Sequence, residues 1–407
     1  MSARTRARLG QGASTASAWR YMLVSGAGFA CALAGSFVAA CASVDENVNL
    51  DPEKTETVVP EPDAGGADGA DGGGSCAEGD CEFFPAECEP GALCPSGLFG
   101  ADPSAGVDWR TRLHTIRARS TTDAWLVGTV GTAAHFDGTA WKAADLGTRE
   151  SLGYVWLANG GELTFGTLDR VFTRGLGAGD GDPSPDGWAN RGKLTAPPGA
   201  SRYVTAGWGR TGGSTMWVAT NTEVWRIDAD GTTLTPKAGV PTSVCSSLPC
   251  KWLRGLDGAS PNVVWGVGEK GAAIRIIGAD SESPTVEVMN PLTWSTLNGV
   301  WAVSDTEAWA VGARGLVIHN VGATFGWQVM EVPTHEHLYA VAGSSSSDVW
   351  AVGDRGVVLH YDGTTWSRVK VAGLGRRRPE LLSVWVPEPG KVWIGGQGVL
   401  LSVGGKR

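Results

Sequence analysis

The sequence contains no convincing amphipathic helix after residue 45, which excludes a helical bundle or a layered α/β sheet as the body of the fold. Charged residues make up 18% of the chain, below the ~25% usual for soluble domains, so a helix-rich charged surface is excluded as well. Residues 95–407 hold 28 acidic and 28 basic side chains and are electrically balanced. A nucleic-acid binder needs an excess of Lys and Arg to displace phosphate counterions, so no nucleic-acid partner is expected. Tyrosine is scarce, and in that region it is confined to Tyr154, Tyr203, Tyr339 and Tyr361.

What is abundant is Gly, at 60 residues, and Trp, at 19. Short buried strands joined by tight turns fit that composition. The net charge of −9 is local: residues 1–41 carry four Arg and no acid, whereas residues 42–94 carry fourteen acids against Lys54 alone.

Arg4, Arg6, Arg8 and Arg20 precede an apolar stretch from Tyr21 to Phe37 that runs into Val38-Ala39-Ala40-Cys41. A charged start, an apolar middle and a small-residue end read as a signal peptide over residues 1–40; a permanent membrane helix fits the Gly-rich stretch less well. The order aliphatic, small, small, Cys resembles the bacterial lipobox. That resemblance implies that Cys41 is acylated, giving an anchor of two or more chains, since one acyl chain holds only reversibly. The alternative is an ordinary secretory signal with Cys41 free. Ala42 stands where an Asp would imply inner-membrane retention, so the resemblance implies the outer membrane of a Gram-negative bacterium, facing the periplasm or the exterior.

Residues 41–75 are acidic, rich in Gly, Ala and Pro, and nearly free of aromatics, the composition of a disordered tether. A coil of that length spans roughly 30 Å. Cys76, Cys81, Cys88 and Cys94 follow in a small Cys-rich segment, residues 76–106, where two disulfides of open connectivity are expected in an oxidising compartment. Cys245 and Cys250 are candidates for a third, closing a loop between repeats.

From residue 107 a repeat of 45 residues governs the sequence. Leu113-His-Thr-Ile116, Asp123-Ala-Trp125-Leu-Val-Gly128, Gly131 and His135-Phe-Asp137-Gly138-Thr-Ala-Trp141 match Leu338-Tyr-Ala-Val341, Asp348-Val-Trp350-Ala-Val-Gly353, Gly356 and His360-Tyr-Asp362-Gly363-Thr-Thr-Trp366 at identical spacing. Weaker copies start at Leu152, Leu253, Leu297 and Leu381, and one centres on Met216-Trp217-Val218-Ala219, making seven. Each copy reads as four short strands, with Asp-Gly as a type I′ hairpin signal. The fold expected is all-β: a seven-bladed β-propeller of four-stranded blades over residues 107–407. The seventh copy stops before its terminal Trp strand, while Val107-Asp108-Trp109-Arg110 lies unassigned ahead of the first. The strand around Trp109 is therefore expected to complete the last blade and close the ring.

The Asp-Gly-Thr-Thr-Trp segments resemble shortened Asp-box (BNR) repeats, and residues 107–407 resemble propeller-repeat lipoproteins and, more distantly, Ycf48-type propellers. Kelch and WD40 signatures are missing. Asp-box propellers include sialidases, which use an Arg triad with a Tyr nucleophile and a neighbouring Glu; no such set can be assembled here by motif. His135, His319 and His360 share one repeat position in different blades, the pattern of packing and not of a metal site. Asp180, Asp182 and Asp186 are weak calcium candidates on a turn-rich loop. Arg376-Arg377-Arg378 is the one dense basic run, read as a solvated loop or an anionic partner site.

The reading that follows is a non-catalytic, monomeric envelope lipoprotein without cofactors, whose propeller binds a protein or glycan. The alternatives are a sialidase-like glycoside hydrolase and an assembly factor for an envelope complex.

Overall fold

The computed structural model describes residues 81–99, 107–177, 181–194, 203–240, 252–322, 326–404. Cys41, Cys76, Cys245, Cys250 and Asp180 lie outside the described residues, as do residues 1–75 as a whole, and the side chain of Cys81 is not described.

Among the described residues the strands form seven four-stranded antiparallel sheets, as the repeat requires. Blade 1 comprises Leu113–Ser120, Asp123–Gly128, Ala133–Phe136 and Trp141–Ala144. Blade 2 comprises Tyr154–Ala158, Gly161–Thr167, Arg170–Arg174 and Ala189–Asn190. Blade 3 comprises Val204–Gly209, Thr215–Thr220, Val224–Asp230 and Thr233–Ala238. Blade 4 comprises Leu253–Asp257, Val263–Gly268, Ala273–Ile277 and Thr285–Val288. Blade 5 comprises Leu297–Ala302, Glu307–Gly312, Val317–Val321 and Trp327–Val329. Blade 6 comprises Leu338–Ser345, Asp348–Gly353, Val358–Tyr361 and Trp366–Arg368. Blade 7 takes Leu381–Glu388, Lys391–Gly396 and Val399–Val403 from one end of the fold and Leu93–Pro95 from the other. The first strand of every blade touches the first strands of both neighbours, including Leu113–Ser120 against Leu381–Glu388, so the ring is closed.

Closure from the N-terminal side is therefore as expected, but the strand is different. Leu93, Cys94 and Pro95 pair with Val403, Ser402 and Leu401, whereas Trp109 is 62% exposed and lies in no strand. The reason is reach. Each of the other six blade-to-blade connections uses at least eight residues to return from the outer strand to the next inner one, and Trp109 leaves three before Leu113. Residues 109–112 instead act as the end of such a connection: Gly398 N donates to Thr111 O at 2.7 Å, as Gly315 N does to Glu336 O and Gly356 N to Pro379 O. The propeller thus begins before residue 107 and absorbs part of the Cys-rich segment. Phe84 and Leu93 are buried with Val371, Leu374 and Leu401, and Cys88 is joined to Cys94 by a disulfide with Cα atoms 5.9 Å apart.

The second strand of each blade is buried on both faces. Six of the seven carry Trp there (Trp125, Trp217, Trp265, Trp309, Trp350, Trp393), and blade 2 substitutes Leu163. Removal of such an indole typically costs 3–5 kcal/mol, so this one position supplies much of the stacking between blades. In three blades a His lies directly opposite the Trp on the third strand and its Nε2 pairs with the acid that opens the second strand. His135 meets Asp123 at 2.8 Å, His319 meets Glu307 at 3.0 Å and His360 meets Asp348 at 2.8 Å. In blades 3 and 4 Arg226 and Arg275 occupy the same place.

The Asp-Gly hairpins are four-residue loops held by their aspartates. Asp137 Oδ1 accepts from Thr139 N, Thr139 Oγ1 and Ala140 N, and Asp362 repeats the pattern. Positive φ occurs at Gly138 and Gly363 but not at Asp137 or Asp362 before them, so the type I′ expectation is corrected: the carboxylate cap stabilises a turn with a single left-handed residue.

Candidate functional site

Two sets of turns define two faces. Turns between first and second strands open on the upper face; second-to-third turns and the blade-to-blade connections form the lower face. The axial channel is lined by first-strand residues of all seven blades and holds a cavity of about 150 Å³. Small residues line its waist because neighbouring backbones nearly touch. A Cβ on Gly299 would lie 2.7 Å from Tyr339 O, and one on Gly255 would lie 3.1 Å from Val300 N.

At the upper mouth, one register position on the inner strands carries a distinctive set. Reading round the ring from blade 1, it holds Arg117, Trp156, Trp208, Asp257, Trp301, Ala342 and Trp385, six of them directly opposite a second-strand Trp and Trp156 opposite Leu163. The indoles are seated by their neighbours. Trp156 packs where a Cβ on Gly209 would intrude at 2.6 Å, Trp208 does so at Gly258 at 2.8 Å, and Trp301 does so at Gly343 at 2.7 Å. Trp156 Nε1 also donates to Arg210 O at 3.1 Å. Where the next blade offers Leu157, Ala302 or Val386 in place of glycine, the ring position is Arg117, Asp257 or Ala342, whereas Trp385 packs beside Ala118 without a glycine seat. The mouth so formed encloses about 390 Å³, within the range of ligand pockets.

Arg117 Nη2 and Asp257 Oδ1 approach to 3.9 Å across this mouth, with side chains 34% and 14% exposed. Ala302 N donates to Asp257 Oδ2 at 2.8 Å. Burial pushes the Asp257 carboxyl up to about 6, while the Arg117 charge and the amides of Ala302 and Gly258 pull it back only in part. A carboxyl raised by burial in the wall of a concave surface is a candidate functional group.

The lower mouth is lined by Thr205, Trp252, Arg254, Glu269, Asn298 and Tyr339. Its charges are matched: Arg254 Nη2 meets Glu269 Oε1 at 2.6 Å, and Arg112 pairs with Glu380. Burial, followed by a hydrogen bond to Asp354, pushes the Tyr339 phenol up to about 12. That is the wrong direction for a phenolate nucleophile.

The remaining sequence candidates are occupied with structure. Among the described residues no group of three His, Cys, Asp or Glu converges to hold a cation. Asp186 Oδ2 accepts from Asp145 N at 2.6 Å, pinning the loop that also contains Asp182. In the basic run, Arg377 Nη2 donates to Gln397 O and Gly398 O, and the Arg378 guanidinium lies 3.7 Å from the Phe84 ring centre. The upper-mouth ring was missed from sequence, although it stands four residues after the Leu or Val that opens each repeat.

No protein-family model matches this sequence, and no curated protein matches it either. Solved structures do match. The propeller is similar to Ycf48 bound to a D1 peptide, at 15% identity and a TM-score of 0.55, covering 79% of this chain and 99% of that one. It is similar to Ycf48 from Cyanidioschyzon merolae, at 14% identity and a TM-score of 0.56, covering 77% and 98%. It is also similar to a catalytically inactive virginiamycin B lyase from Staphylococcus aureus with quinupristin, at 11% identity and a TM-score of 0.55, covering 73% and 95%. At such identities the likeness is one of fold.

Proposed function

We propose that the chain is a non-catalytic envelope lipoprotein, anchored through Cys41, whose β-propeller receives a segment of a partner protein at the upper mouth. The observation that carries this reading is the set Trp208, Trp301 and Trp385 lining the upper mouth together with Arg117 and Asp257. Trp and Arg dominate the energetics of protein interfaces when set in a concave, partly dry patch. Arg117 offers donors to a carboxylate or a main-chain carbonyl, and Asp257 accepts from an amine or amide. The likeness to a propeller solved with a peptide is consistent with this use, by analogy of fold. An assembly factor for an envelope complex is one form of it.

The glycosidase alternative is less well supported. Residues lining the upper mouth include one carboxylate, Asp257, and no Tyr, whereas glycoside hydrolysis by acid and base needs two carboxyl groups flanking the bond. The lower mouth has Tyr339, but its phenol is shifted away from ionisation.

Cross-linking of intact envelopes followed by co-purification tests the proposal. Ala342 faces the mouth where Val386 of the next blade leaves no seat for an indole, so Ala342→Trp is expected to fill the opening and lose the partner while the fold persists. Partner recovery unchanged by Ala342→Trp would remove the upper mouth from the reading. Turnover of fluorogenic glycosides, abolished by a single carboxylate substitution, would replace it with an enzyme.

A further inference from the structure

Among the described residues eight large hydrophobic side chains are exposed, and six of them lie on the lower face: Trp109, Val130, Tyr203, Trp252, Leu292 and Trp294, at 62, 58, 71, 47, 67 and 87%. The other two, Val321 and Val329, sit on the outer strands of blade 5. The six occupy turn tips and connections on an arc running from the junction of blades 7 and 1 to the junction of blades 4 and 5. Val130, Trp252 and Leu292 moreover have left-handed backbone, with φ of 58°, 61° and 55°. Such positions favour Gly or Asn, and a bulky apolar side chain there adds strain to its exposure to water. Both penalties are relieved when the side chains are buried against something.

We propose that this face rests on the headgroup layer of a phospholipid bilayer; the inference rests on the envelope reading above. Three observations favour a lipid surface over a protein partner. The six side chains are spread over five turns and connections of one face, and Trp252 alone among them lines the lower mouth, so a broad surface meets more of them than a segment bound in a groove would. Trp and Tyr are the side chains that settle at the boundary between hydrocarbon and water, and Lys270 and Arg314 occupy neighbouring turn tips of the same face, suited to anionic headgroups. Finally, the described chain enters on this side. The Phe84 ring lies against the lower-face turn of blade 6, where a Cβ on Gly356 would come within 3.0 Å of it. Phe84 thus stands on the same face as the six side chains, outside their arc, and with that face on a membrane the Trp-lined mouth faces away from it.

The test is sedimentation of the mature chain from Ala42, without the apolar signal segment and Cys41, with vesicles of phosphatidylethanolamine and phosphatidylglycerol. The parent is expected to co-sediment, and Trp252→Ser combined with Leu292→Ser and Trp294→Ser is expected to weaken partitioning by about tenfold or more. The control pair Val321→Ser and Val329→Ser should bind as the parent does. Because all five side chains are exposed, unchanged thermal unfolding confirms that each variant is folded. Equal partitioning by the triple variant and its parent, or no partitioning by either, overturns the proposal. Self-association abolished by the triple variant, without vesicle binding, overturns it in favour of a contact between two copies. Mass spectrometry of the chain with Cys41 intact reads acylation separately, so loss of the anchor reading and loss of the lipid-facing surface are distinguishable.

Discussion

Arg117 of blade 1 and Asp257 of blade 4 meet at 3.9 Å across the upper mouth, although 140 residues separate them in the chain. The contact exists because the ring is closed: inner strands three blades apart face one another over a narrow channel. An ion pair so placed offsets only part of the desolvation of its carboxylate.

Replacement of Asp257 should therefore stabilise the protein. The unfolded chain releases this proton near pH ~3.9 and the folded chain near 6, so between those values the native state holds the extra proton and stability falls as pH rises. Asp257→Asn is expected to gain about 1–2 kcal/mol at pH 7 and nothing at pH 3.5, read from urea unfolding at both values. A gain independent of pH would refute the assignment.

The seating of indoles on glycines sets a second expectation. A methyl at Gly343 would lie 2.4 Å from Asp348 O and 2.7 Å from the Trp301 ring, so Gly343→Ala should cost about 2–3 kcal/mol. Gly390 has φ of +75° but open space around it, and Gly390→Ala should cost about 1 kcal/mol from backbone strain alone. Thermal unfolding of the two variants should rank them in that order.

The Cys88–Cys94 bond braces the strand that closes the ring. Cys88→Ser should lower stability by about 2 kcal/mol, the value expected for a loop this short. Hydrogen exchange should show the loss first at the amides of Leu93, Cys94 and Val399–Val403, and a loss spread evenly over all blades would contradict the placement.

Chelation should leave the protein unaffected. His135, His319 and His360 lie in three different blades, each tied to an acid and set against a Trp, and Asp186 holds backbone. An unfolding temperature lowered by EDTA would reveal a site that these contacts give no reason to expect.

The blades were legible because their defining residues repeat: a Trp buried between sheets and a Gly at each turn recur wherever the same packing recurs. The closing strand was not, since Leu93–Pro95 contains Cys and Pro and shares no side chain with the outer strands opened by Trp141, Trp327 or Trp366. Trp109 imitates that opening residue while belonging to a connection. The ring at the upper mouth escaped notice for the opposite reason. Arg117 and Asp257 occupy the positions that the repeat leaves free to vary, and only closure shows that they face each other.

Because the fourth strand of blade 7 comes from Leu93–Pro95 and its partner is made 310 residues after Leu93, the nascent chain carries an unmatched β edge throughout synthesis. Folding that depends on so distant a pairing is slow and exposes sticky intermediates. Loss of Val399–Val403 by premature termination would leave nothing for Leu93–Pro95 to zip against, so a shortened product should fail as a whole and be cleared, instead of surviving as a six-bladed remnant.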